Sequence, residues 1–111
     1  MPRLELSQLR LQPRHLQTLQ DLLARWVPQA EVWAYGSRVT GKAHDGSDLD
    51  LVLRDSNDPN LPVDGWLELK EALQNSLLPM LIEVHLWPYL PADFHTNIEA
   101  AYVVVQKGQQ I

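Results

Sequence analysis

The run Asp48-Leu49-Asp50-Leu51-Val52-Leu53 leaves the backbone little choice. Its period-two alternation predicts a strand. Leu49, Leu51 and Leu53 share one face; Asp48, Asp50 and Val52 share the other. The leucine face asks for a core. The opposite face carries two carboxylates, roughly 7 Å apart at Cα by strand geometry. Two like charges beside a core are costly unless something positive compensates them. Mg²⁺ does so, because it takes one or two carboxylates together with substrate phosphates. A bare Asp-x-Asp also reads as a strand with a solvated outer face, so the context must decide.

That context lies upstream. Glu31-Val32-Trp33-Ala34-Tyr35 is rich in strand formers and ends at Gly36-Ser37, with ten residues between Ser37 and Asp48. Glycine permits positive φ and close backbone approach. Ser37 offers a hydroxyl and can cap a brief helical turn through Thr40, which would aim N–H groups at phosphate oxygens. Arg38 and Lys42 add positive charge for a triphosphate. Alone, a Gly-Ser turn is usually just a turn; with a strand before it and acids after it, it suggests a seat for a metal-bound nucleoside triphosphate.

Two overlapping motifs fail. Gly36 to Lys42 matches GxxxxGK, but Ala43 replaces the Ser or Thr of a P-loop and His44-Asp45-Gly46-Ser47 reads as loop, not helix. A calcium loop from Asp45 would need Gly at its sixth position and Glu at its twelfth; the chain has Asp50 and Ser56.

The rest of the chain predicts the frame around this segment. Its 111 residues fit one domain, 1–111. Pro13 suits a helix start, and Leu16, Leu19, Leu22, Leu23, Trp26 and Val27 follow at helical spacing, giving a helix from Pro13 to Trp26 stopped near Pro28. Leu4 to Leu11 is too short to classify. A helix is expected over Asp64–Leu77, with Trp66, Leu69, Leu73 and Leu77 on one stripe and Pro79 after it. Leu81–Leu86 reads as a strand, Pro88 and Pro91 bracket a turn, Phe94–Ala100 is a short helix and Tyr102–Val105 a last strand. The order α-β-β-α-β-α-β predicts an α+β mixed sheet of about four strands with helices packed against it. Trp26, Trp33, Trp66 and Trp87 fall mostly on apolar stripes and read as core, as does Tyr35.

Charge and composition narrow the function. A net charge of −5, with Lys and Arg scattered, shows no basic stripe and weighs against long RNA or DNA as a partner, though not against one nucleotide. The absence of cysteine excludes disulfides, thiolate zinc sites and cysteine nucleophiles. The N-terminus lacks the apolar stretch of a signal peptide, and no run approaches a membrane span, which predicts a cytoplasmic protein.

The segment GSRVTGKAHDGSDLDLVL resembles the signature of the minimal nucleotidyltransferases (MNT), relatives of DNA polymerase β and kanamycin nucleotidyltransferase: GS, ten residues, then DxD. The resemblance implies the nucleotidyltransferase fold, two Mg²⁺ ions held by Asp48 and Asp50, and ATP as substrate. It implies a nucleotide seat at Gly36, Ser37, Arg38 and Lys42. It also implies a third carboxylate on the next core strand, and Glu83 in Leu81-Ile82-Glu83-Val84-His85-Leu86-Trp87 is the candidate, although the family usually has Asp there. Catalysis would then rest on Asp48, Asp50 and Glu83. Glu83 also reads as an edge-strand acid in solvent. His85 would share its strand face, as a ligand, a proton acceptor or a structural histidine; His44 is loop-borne.

Chains this short resemble the MNT antitoxins of HEPN–MNT pairs, which implies AMP transfer to a tyrosine of a HEPN toxin, or another helical partner supplying the acceptor. Self-association stays open. The alternative is a catalytically weak MNT-fold binding module that neutralises or scaffolds a partner, favoured by Glu83 in place of Asp. A small-molecule nucleotidyltransferase ranks lower, since one small domain offers little acceptor pocket.

Overall fold

The computed structural model describes residues 3–41 and 48–108. Along the chain come β1 (Arg3–Leu4), α1 (Pro13–Trp26), β2 (Ala30–Tyr35), α2 (Ser37–Thr40), β3 (Leu49–Asp55), α3 (Trp66–Gln74), β4 (Ile82–Leu86), α4 (Ala92–Ala100) and β5 (Tyr102–Gln106). Short 3₁₀ turns occupy Leu6–Gln8 and Trp87–Tyr89, the second of them overlapping the start of the expected Pro88–Pro91 turn.

The strands form one mixed sheet in the order β1-β5-β2-β3-β4. β2 runs antiparallel to β3 and β5, while β3–β4 and β1–β5 are parallel. The α+β expectation holds. The fifth strand is the two-residue β1, too short to leave a periodic signal in the unclassified opening stretch.

β3 is an inner strand, between β2 and β4, and is buried on both faces along much of its length. Leu49, Leu51 and Leu53 are fully buried, and they meet Leu19 and Leu23 of α1 and Leu69 and Leu73 of α3 in the main core. Each such leucine contributes about 1.5–3 kcal/mol relative to exposure. Val52, on the other face, packs with Trp33, Trp87 and Ile98 under α4 in a second core. The carboxylate face of β3 is therefore covered at Val52 and left open at Asp50.

α1 has the expected limits. Pro13 opens it, and the Val27 N–H closes it on the Leu23 carbonyl at 2.9 Å. α3 is shorter than the Asp64–Leu77 helix the sequence predicts. It opens at Gly65, whose φ of +90° is open only to glycine and whose missing Cβ lets it approach the Trp26 carbonyl. It ends at Gln74, where the Asn75 N–H reaches the Glu71 carbonyl and Ser76 Oγ bonds the Leu73 carbonyl. Leu77 is 97% exposed and off the stripe, so Ser76, not Pro79, marks the stop.

Candidate metal–nucleotide site

The site grows out of strand register. β3 and β4 are parallel, with Asp50 opposite Glu83 and Val52 opposite His85. Paired residues on adjacent strands share a face. Alternation within β4 puts His85 on the same face as Glu83. Ligand atoms of Asp50, Glu83 and His85 all lie within 4.8 Å of one another, and His85 Nε2 stands 3.7 Å from Glu83 Oε2. β4 is an edge strand of the sheet, and Glu83 keeps about half its side chain exposed, at 49%. Glu83 is thus a half-exposed acid on an edge strand that stands beside Asp50 and His85. Asp48 lies exposed just before β3, outside this set of three but near enough for its charge to act on Asp50.

On the other side of β3, Tyr35 is paired with Asp50 across the antiparallel β2–β3 ladder. The next residue, Gly36, has φ +85° and ψ −156°, a region essentially reserved for glycine. A Cβ there would sit 2.7 Å from Asp50 Oδ2. The Gly-Ser turn and Asp50 are therefore one structural unit: the Asp50 carboxylate rests over the bare backbone of Gly36.

Gly36, not Ser37, is the residue preceding the helical turn. Its carbonyl accepts from the N–H groups of Val39 and Thr40 at 3.0 and 3.1 Å, and Ser37 is the first residue of α2. The glycine takes the cap position because only it reaches the required φ. Gly41, with φ +83°, closes α2 on the Ser37 carbonyl. Arg38 turns inward. It is 8% exposed and its Nη1 donates to the Arg10 carbonyl at 2.7 Å, while the Arg10 N–H donates to the Arg38 carbonyl at 2.8 Å. These two bonds tie α2 to the chain ahead of α1. Lys42 and His44 lie outside the described residues.

Electrostatics follow from this crowding. Burial, then the Glu83 carboxylate, push the Asp50 pKa above the usual carboxylate range, with Asp48 adding to the rise and His85 opposing it. Tyr35 is held neutral well beyond its ordinary range by burial, then by Asp50 and Glu83. The sequence marks Tyr35 only as packing. Its adjacency to the carboxylates was readable, since the residue before Gly36 faces the second aspartate once the two strands pair.

Such a face fits a divalent cation. Adjacent carboxylates that repel one another in a half-buried position are stabilised by a hard cation accepting oxygen ligands, as Mg²⁺ does. Beside them a cleft of about 590 Å³ opens along the edge of β4, lined by Leu73, Met80, Ile82 and Lys70 and sharing Glu83 and His85 with the cluster.

Two comparisons match this frame. Residues 3–100 match the family model for the central palm domain of the mitochondrial-like poly(A) RNA polymerase. The chain is 36% identical over 106 residues to a Haemophilus influenzae protein named "Probable protein adenylyltransferase MntA", covering 94% of this chain and 90% of that one. Both matches span the Gly36 turn, β3 and β4. The chain belongs to the nucleotidyltransferase-type palm family described by the mitochondrial-like poly(A) RNA polymerase central palm domain.

Proposed function

We propose that the protein transfers AMP from ATP to a hydroxyl of a partner protein, a tyrosine of a HEPN-type toxin, and acts as the antitoxin. The observation that carries the reading is the side-by-side placement of Asp50 and Glu83 against the Gly36 turn. The name of the Haemophilus influenzae relative supports protein adenylyl transfer, and the acidic chain suits a protein acceptor better than RNA.

In this reading Asp48, Asp50 and Glu83 hold Mg²⁺, as two ions, which when bound acidify the acceptor hydroxyl and neutralise triphosphate charge. The turn at Gly36 and Ser37, with Lys42, seats the β- and γ-phosphates. Arg38 braces that turn from below through Arg10. Glu83 orients the acceptor hydroxyl and takes its proton. The oxygen attacks the α-phosphorus in line, the bond to the β-phosphate oxygen breaks, and pyrophosphate leaves. Tyr35, paired with Asp50 across the ladder and kept neutral, adds no negative charge beside the carboxylates. Fixing the groups in place and stabilising charge supply most of the rate. The cleft along β4 gives the acceptor side chain room beside Glu83.

The test is incubation with each nucleoside triphosphate, Mg²⁺ and the protein encoded next to this chain, followed by intact mass of both. Addition of one AMP to the partner, on a tyrosine and only from ATP, is the expected result. The alternative is a binding module that docks without transferring, favoured by Glu83 where the resemblance leads one to expect Asp. A stable complex with no mass change would establish that alternative instead.

A further inference from the structure

The fold holds two described histidines of opposite character on the same side of the sheet. His95 is structural: its ring stacks on Trp87 at 3.8 Å and 3°, and its Nε2 bonds the Trp87 carbonyl at 2.7 Å. His85 has no such hydrogen bond or ring contact among the described residues, and its Nε2 faces the Glu83 carboxylate at 3.7 Å. Half-exposed on an edge strand, it is set between the carboxylate cluster and the cleft along β4.

We propose that His85 is a cation ligand with Asp50 and Glu83, and that its nitrogen makes this site take Mn²⁺ in preference to Mg²⁺. The proposal rests on the reading that Asp50 and Glu83 hold a divalent cation. With metal–ligand bonds near 2.1 Å, neighbouring ligand atoms stand about 3 Å apart and opposite ones about 4.2 Å. A set already within 4.8 Å stands close to that spacing. Mg²⁺ prefers oxygen donors and keeps its waters, whereas imidazole is a good ligand for transition ions. Two carboxylates and one imidazole, with open positions for a nucleotide and an acceptor, form a mixed set that favours Mn²⁺. Val52 opposite His85 offers no polar group to draw the ring away.

The test compares wild type, His85→Ala, His85→Gln and Glu83→Gln. Mn²⁺ and Mg²⁺ binding are titrated separately, without nucleotide, and pulsed electron paramagnetic resonance reads nitrogen coupling to bound Mn²⁺. Circular dichroism checks that each variant keeps its fold. In the expected result wild type favours Mn²⁺ and shows nitrogen coupling. Both His85 variants lose the coupling and about tenfold or more in Mn²⁺ affinity, a loss of the size that even outer partners of a metal site produce, while Mg²⁺ affinity barely moves. Absence of nitrogen coupling in wild type overturns the role of His85, whatever the affinities. In that case a Glu83→Gln variant that still weakens both ions leaves the carboxylate site standing. If wild type binds neither ion, the carboxylate reading fails together with the inference.

Discussion

Gly36 meets two demands at once: a backbone conformation closed to other residues, and bare space under the Asp50 carboxylate. Gly36→Ala is expected to cost about 1–3 kcal/mol of stability from backbone strain, read by urea denaturation. It should also abolish nucleotide binding, because the Cβ displaces Asp50. Asp50 makes the opposite trade. Its pKa is raised in the fold by burial, then by Glu83, so the ionised form is disfavoured there. The folded state therefore binds more protons than the unfolded state just above the ordinary carboxylate range, and stability falls as pH rises through that window. Asp50→Asn should stabilise the metal-free protein at neutral pH, with the advantage shrinking in acid as wild-type Asp50 protonates. Denaturation of both proteins at the two pH values, with chelator present, checks the sign. Added Mg²⁺ should narrow the gap by stabilising the wild type alone.

At the scale of elements, strands 2 and 3 were legible because both carry strong local signals: β-formers ended by glycine, and leucine alternation. The shared face of Glu83 and His85 follows from parity within β4. What parity does not carry is the partner across the ladder. The pairing of Asp50 with Glu83 depends on a parallel crossover through α3 and its loops, and the pairing of β1 with β5 joins residues at opposite ends of the chain. Spacing alone carries α3 too far, because Leu77 keeps helical spacing beyond the point where Ser76 terminates the helix through the Leu73 carbonyl. The contrast is measurable. Leu69→Ala, inside the core, should cost about 2–5 kcal/mol, whereas Leu77→Ser should stay within about 0.5 kcal/mol of wild type. Equal losses at the two positions would mean that α3 extends past Ser76 in solution.

The molecule as a whole divides its sheet between structure and chemistry. One face is sealed by α1 and α3; the other is sealed by α4 over Trp33, Val52 and Trp87, and opens at Asp50, Glu83 and His85. Signature spacing made the open end legible from sequence, while the inward turn of Arg38 and the cleft along β4 depend on packing that no short motif encodes. No described helix is long and apolar enough to cross a membrane. With a net charge of −5, the chain is not expected to bind an adenine-rich RNA oligomer at physiological salt, although its family model is named for a poly(A) polymerase palm. RNA that competes with ATP would reverse that expectation. In the proposed function Asp48, Asp50 and the Gly36 turn together seat a metal-bound nucleoside triphosphate. Calorimetric titration of ATP into wild type and into Asp48→Asn/Asp50→Asn, with and without Mg²⁺, tests it directly. Binding that requires Mg²⁺ and vanishes in the double variant is expected; binding of equal strength in both proteins, or indifferent to Mg²⁺, would contradict it.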